Sequence, residues 1–194
     1  MDSSVTEDAS FSFEAHPANT TKEHLQTLHD LGFRILSLGI QDFDPEAQQY
    51  INRKQSIEDV RLVTEMARSI GYQSINYDLV YGLPKQRLDS LEGTIKVVDE
   101  LRPDRIAFYS YAHVPSIRPA QRSFAPETIP AGVEKHQLYN LGRDLLLNAG
   151  YFEVGMDHFA LPGDDLFTAQ SEGNLHRNFM GYTATPSHLL IGLG

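Results

Sequence analysis

"INYDLVYGLP", residues 75–84, is the stretch whose reading decides the fold. Ile75, Tyr77, Leu79 and Val80 are residues that sheets favour, and Gly82-Leu83-Pro84 turns the chain at the end of the run. Asp78 stands inside this apolar stretch with Asn76 beside it. A carboxylate in such a strand is costly unless something pairs with it. The question is what Asp78 is there to hold.

Working outward, strand-like and helix-like segments alternate. "FSFE" (11–14) reads as a first strand. "TTKEHLQTLHDLG" (20–32) reads as a helix, with Thr20 and Glu23 as a capping box and Gly32 as its stop. "RILSLGI" (34–40) is a second strand. The helix over 55–71 is capped by Ser56 with Asp59, carries Ile57, Val60, Val63, Ala67 and Ile70 at helical spacing, and closes at Gly71. A third strand covers 73–81. Asp89 reads as the cap of a helix over 90–101, and "RIAFYSY" (105–111) as a fourth strand. A proline-rich loop, 114–130, precedes a helix over 132–149 that turns Val133, Leu138, Leu141 and Leu145 inward. "YFEVGM" (151–156) is a fifth strand, and the last forty or so residues read as loop and short helix.

This alternation implies parallel strands joined by right-handed crossovers. Short apolar strands suit a sheet covered on both faces. A doubly wound sheet and a (β/α) barrel both fit, and both gather chemistry at the C-terminal strand ends. Those ends carry Glu14, Gln41 and Asp42, Asp78, Ala112 and His113, Asp157 and His158. Any one of these could cap a helix or bond a local amide. As a set they point to a site.

Composition narrows the classes. The chain has 194 residues with 41% hydrophobic, 10% aromatic and 22% charged residues, ordinary values for one globular domain. No apolar run is long enough to span a membrane, and the polar, acidic "MDSSVTEDAS" start is not a secretory signal, so a cytoplasmic, membrane-free protein is expected. A formal net charge of -10 argues against nucleic acid as a partner. There is no cysteine, which removes disulfides and thiolate metal sites.

Motif chemistry excludes more. Neither a G-x-G-x-x-G nor a P-loop pattern is present, nor a G-x-S-x-G elbow. Glu14, Asp78, His113, Asp157 and His158 could hold zinc or manganese in a metal-dependent hydrolase, but no H-x-H pair supports it. Arg118 and Arg122 in one loop, with Arg177 further on, suit a carboxylate-rich ligand.

Eight stretches carry a family resemblance: "SFEAHP", "SLGIQDFD", "INRKQ", "INYDLVYGLPKQ", "RPDRIAFYSYAHVP", "RPAQR", "GMDHFALPGDDL" and "LHRNFMGYT". Together, from about residue 10 onward, they resemble the oxygen-independent coproporphyrinogen III oxidases (coproporphyrinogen dehydrogenases) of the radical S-adenosylmethionine (SAM) enzymes. The last two stretches look like the true dehydrogenase rather than the haem-chaperone branch. The resemblance implies a partial (β/α) barrel over residues 10–194, after an irregular N-terminus at 1–9. It implies two SAM molecules, a [4Fe-4S] cluster, coproporphyrinogen III as substrate, an electron donor of unknown identity, and a monomer working in haem biosynthesis. Residue by residue, Glu14 matches a contact to the SAM at the cluster. Gln41, Arg53, Asp78 and the backbone of Ala112 match contacts to the second SAM. Arg118, Arg122 and Arg177 are candidates for substrate carboxylates.

The departure is as informative as the match. The family holds its cluster on a C-x-x-x-C-x-x-C loop, and this chain has no cysteine. The expectation is a fragment truncated at both ends and inactive alone. The other reading is a non-catalytic haem or tetrapyrrole carrier, with His113 or His158 as axial ligand.

Overall fold

Along β3 (Ser74–Tyr81) the side chains alternate between two environments. Ile75, Tyr77 and Leu79 are fully buried, while Asn76 and Asp78 on the other face are only half-buried. The computed structural model describes residues 9–178 and 181–186. The main sheet has six strands in the order β1-β2-β3-β4-β6-β5. β1 (Phe11–Ala15), β2 (Phe33–Gln41), β3 and β4 (Arg105–Ser110) run parallel to their neighbours. Their crossovers are α1 (Lys22–Asp30), then α2 (Pro45–Tyr50) with α3 (Ile57–Ile70), then α4 (Leu88–Leu101). After β4 a long loop with two 3-10 turns leads to α5 (Gly132–Asn148). The architecture is a partial (β/α) barrel: parallel strands with flanking helices.

The core lies between one sheet face and the helices. Leu36, Leu38 and Ile40, Ile75, Tyr77 and Leu79, and Ile106 and Phe108 pack against Val60, Val63 and Ala67 of α3, Leu91, Ile95 and Val98 of α4, and Leu138 and Leu146 of α5. The polar tips in this layer are satisfied: Tyr77 Oη meets Thr64 Oγ1 at 2.5 Å, Tyr72 Oη donates to Leu25 O at 2.9 Å, and Tyr151 Oη donates to Pro103 O at 2.8 Å.

The helix layer runs α1, α3, α4, α5, each packed on the next. Of the two architectures that the alternation allows, this one-sided layer of crossover helices fits the barrel rather than the doubly wound sheet. Strand register gives the other face its content: Glu14, Ser37, Asn76 and Arg105 form one row, and Gly39, Asp78, Ala107 and His158 the next. Over β1, β2 and β3 this face of acids, amides and glycine offers no apolar seat for a helix. It can line the concave side of an open barrel.

Several local expectations shift. The cap of α1 is Thr21 with His24, because Thr20 uses its hydroxyl on His16 O at 2.9 Å. The Ser56/Asp59 box and left-handed Gly71 (φ 108°) bound α3 as expected, but Ile57, in its first turn, is exposed. Helix α4 starts at Leu88, ahead of Asp89, whose carboxylate accepts from Ser90 N instead. In α5 the buried face is Leu138, Gly142 and Leu146, while Val133 is 74% exposed. Gly142 sets that face: a Cβ there would come 2.4 Å from Phe108 Cζ, so the helix seats its glycine on the ring.

The fifth strand differs most. β5 (Phe152–Gly155) does not pair with β4. The chain turns at Met156–Asp157, where Asp157 is left-handed (φ 58°), and returns as β6 (His158–Ala160) between β4 and β5, antiparallel to both. Beyond it, α6 (Asp165–Ser171) is a short helix as expected, and a hairpin of β7 (His176–Asn178) and β8 (Gly181–Thr183) replaces part of the expected loop. The expected irregular N-terminus falls, up to residue 8, outside the described residues, as do Phe179, Met180 and 187–194.

Candidate functional site

Gly39 is the centre of the polar face. A Cβ built there would lie 2.7 Å from Arg53 Nη2, 3.4 Å from Gln41 Nε2 and 3.5 Å from Glu14 Oε1. Asp78 is its partner across β2 and β3. The absent side chain thus leaves room for four functional groups to converge from four segments.

Each group has a local cause for its placement. Glu14 is the last residue but one of β1, paired with Ser37 of β2. The ladder between β2 and β3 is irregular between Gly39 and Gln41, and Gln41 is left-handed (φ 69°). Such an irregularity re-aims a side chain at a strand end. Arg53 comes from the loop between α2 and α3 and donates from Nη2 to Gly39 O and from Nε to Gln55 Oε1 at 3.3 Å. Asp78 is fixed at both oxygens: Ser37 Oγ donates to Oδ2 at 3.0 Å and Asn76 Nδ2 to Oδ1 at 2.8 Å.

The electrostatics follow. Burial pushes the Asp78 carboxyl above the usual carboxylate range, and nearby Glu14 pushes the same way. The Asn76 and Ser37 bonds and His158 oppose them. Burial lowers the Arg53 guanidinium from its ordinary value, opposed by the charges of Glu14 and Asp78. His16 is lowered by burial and then by Arg53. Two carboxylates against one guanidinium leave a net deficit of positive charge on a partly dry surface. That is a place for a cation.

A second acid supports the first. Asp42 is fully buried at the end of β2 and accepts from Gln86 Nε2 at 2.6 Å, from Asp44 N at 2.9 Å and from Thr94 Oγ1. Gln86 also binds Val80 O and accepts from Gly82 N, so Asp42 ties the β2 exit to the "YGLPKQ" turn. It faces protein groups and acts on the site through the loops it holds.

The structure does not bring all the expected residues together. Ala112 stands in the exposed loop after β4, its carbonyl accepting from Gln121 Nε2 at 3.0 Å. Arg118 is exposed, and Arg122 donates to Pro115 O within its own loop. Arg177, on β7, lies over the Tyr182 ring at 5.4 Å and reaches Met156 Sδ at 3.7 Å. His158 has both ring nitrogens engaged, Nε2 with Tyr109 Oη at 3.4 Å and Nδ1 with Met156 O at 2.9 Å. Among the described residues, no group of three or more acids or histidines is placed to hold a metal ion.

Sequence reasoning missed Ser37 and Gly39, and placed Asn76 beside Asp78 without the bond between them. Their signal was the period-2 spacing from Asp78 and Gln41, which places Asn76, Ser37 and Gly39 on the same face.

Comparison with known proteins fits this geometry. Residues 4–98 match the model of the Radical SAM superfamily. Oxygen-independent coproporphyrinogen III oxidase of Pseudomonas aeruginosa is 43% identical over 184 residues, covering 95% of this chain and 40% of that protein. Over residues 4–98 the chain belongs to the radical SAM superfamily. The Escherichia coli relative of the same description is likewise 43% identical, over 96% of this chain and 41% of its own length. The solved structure of coproporphyrinogen III oxidase (HemN) from Escherichia coli, described as a radical SAM enzyme, matches with a TM-score of 0.88 at 44% identity. It covers 92% of this chain and 41% of that one. The chain therefore spans about two fifths of the length of these relatives. Among radical SAM proteins the catalytic cluster requires thiolates. This chain has no cysteine, so its own residues do not fit a [4Fe-4S] cluster.

Proposed function

We infer that this chain forms the SAM-binding part of an oxygen-independent coproporphyrinogen III oxidase, which converts coproporphyrinogen III to protoporphyrinogen IX by oxidative decarboxylation. The observation that carries this reading is the convergence of Glu14, Gln41, Arg53 and Asp78 around Gly39. SAM presents a sulfonium, an ammonium and a carboxylate. Two acids and one guanidinium complement that charge pattern.

In this reading Glu14 contacts the SAM that serves the cluster. Gln41, Arg53, Asp78 and the Ala112 backbone hold a second SAM. Asp78, already desolvated and fixed by Ser37 and Asn76, faces the cationic part of the ligand. Arg53 faces its carboxylate. Arg118, Arg122 and Arg177 meet the propionates of the tetrapyrrole. The cluster's thiolates come from outside this chain. The whole enzyme works as a cytoplasmic monomer with a separate electron donor. No helix among the described residues is long and apolar enough to cross a membrane.

Isothermal titration tests it. SAM is expected to bind more tightly than S-adenosylhomocysteine, which lacks the sulfonium charge, by tenfold or more. Asp78→Ala and Arg53→Ala are each expected to lose at least that factor. Equal affinity for the two ligands, or binding indifferent to both variants, overturns the reading. Iron and sulfide treatment of the chain is expected to leave no [4Fe-4S] absorption.

A further inference from the structure

Two consecutive carbonyls at the end of β2 are taken by side chains from one loop. Arg53 Nη2 donates to Gly39 O, and Gln55 Nε2 donates to Ile40 O at 2.6 Å. The two side chains also meet, since Arg53 Nε donates to Gln55 Oε1 at 3.3 Å. Gln55 is buried, and its own backbone N–H donates to Gln48 Oε1 at 3.3 Å. Gln48, buried too, donates from Nε2 to Asp42 O at 3.0 Å. A chain of amides thus runs from Asp42 through Gln48 and Gln55 to the guanidinium.

The chemistry of this arrangement is selective. Arginine is long and flexible, and a half-buried one turns to water unless held. An acid at position 55 would hold it but neutralise it. A glutamine fixes its orientation and leaves the full charge available to Glu14, Asp78 and an anionic ligand group. Ile40 O also accepts from Asp42 N at 2.9 Å, so that carbonyl keeps a partner without Gln55. The guanidinium loses its Nε acceptor.

We propose that Gln55 is a positioning residue that holds the Arg53 guanidinium on the Gly39 carbonyl, between Glu14 and Asp78, without neutralising it. The test uses the whole chain and reads Arg53 directly. In the wild-type protein the Arg53 Nε–H resonance is expected to exchange with solvent at least tenfold more slowly than those of exposed arginines. In Gln55→Met, of similar volume, that protection is expected to vanish. Ser56→Ala, which removes the adjacent helix cap and touches neither side chain, is the control: it is expected to lower the melting temperature and leave the resonance unchanged. A wild-type Arg53 Nε–H that exchanges at the exposed rate, or a Gln55→Met protein that keeps the protection, overturns the proposal. A second readout rests on the SAM reading: the SAM dissociation constant is expected to rise about tenfold in Gln55→Met and to stay put in Ser56→Ala. A wild-type chain that ignores SAM overturns that functional reading alone, because Nε–H exchange decides the role of Gln55 without ligand.

Discussion

The Ser37 hydroxyl on β2 donates to the Asp78 carboxylate on β3 at 3.0 Å, across the seam between two parallel strands. Asn76 Nδ2 completes the triangle, donating to Ser37 Oγ and to Asp78 Oδ1 at 2.8 Å each. The acid is therefore oriented by neutral donors. Neutral donors stabilise a carboxylate less than a salt bridge does, and burial with Glu14 nearby keeps it strained electrostatically. In the proposed reading, its cationic partner is the ligand.

Asp78→Asn should therefore separate stability from binding. The Ser37 hydroxyl can rotate to accept from an amide, so the triangle survives the change. The desolvated charge and its repulsion with Glu14 disappear. The expected outcome is a gain of about 0.5–2 kcal/mol in urea unfolding at pH 7–8, together with loss of SAM binding by calorimetry. A destabilised variant that still binds SAM would contradict both halves.

Stability should also depend on pH with a definite sign. Asp42 is raised by burial and by the charge of Asp44, against hydrogen bonds from Asp44 N, Thr94 and Gln86; Asp78 is raised by burial and by Glu14. A carboxyl raised in the native state binds its proton more tightly there than in the unfolded chain. Its contribution is complete below the ordinary carboxylate value, about pH 4, and is lost as pH climbs through the raised native value. Urea midpoints are expected to fall over that window and to fall less in Asp78→Asn. Identical profiles for the two proteins would remove Asp78 from this account.

How far the sequence reached can be judged on particular residues. The alternation of "INYDLVY" and the Ser56/Asp59 and Gly71 signals are local, so β3 and α3 were legible. Gly142 was not, because a glycine in a helix reads as a defect until Phe108 is seen resting on it. β6 was not, because three residues carry no period and only a return turn at Asp157 makes them a strand. Asp78 stood out as a buried charge, whereas Ser37 and Asn76 looked like ordinary polar residues. Their role depends on the β2–β3 register, which no local pattern encodes.

Gln41 offers a third test. Its left-handed backbone (φ 69°) is unfavourable for a side chain other than glycine or asparagine, by roughly 1 kcal/mol or more. Gln41→Gly is expected to raise stability by about 0.4–1 kcal/mol, less the greater freedom of glycine in the unfolded chain, while weakening SAM binding. The melting temperature and a SAM titration on one preparation check both. Unchanged binding would show that the strained backbone serves the turn and not the ligand.

The firmest stability prediction lies at the far end of the polar face. Arg105 Nε lies 2.7 Å from both Asp164 oxygens, with the Asp164 side chain 1% exposed and that of Arg105 12% exposed. Asp164 also accepts from Ser74 Oγ and Leu166 N at 2.8 Å each, joining β3, β4 and the start of α6. Removing one partner of such a pair strands a charge, since Asp165 reaches Arg105 only at 3.6 Å and from an exposed position. Asp164→Ala is expected to cost about 3–5 kcal/mol in urea unfolding, with an unchanged m-value. Arg105→Met with Asp164→Leu, which removes both charges, is expected to recover most of that loss. If the double variant is no better than Asp164→Ala, the cost comes from the lost Ser74 and Leu166 bonds, and the ion pair is not what closes this end of the sheet.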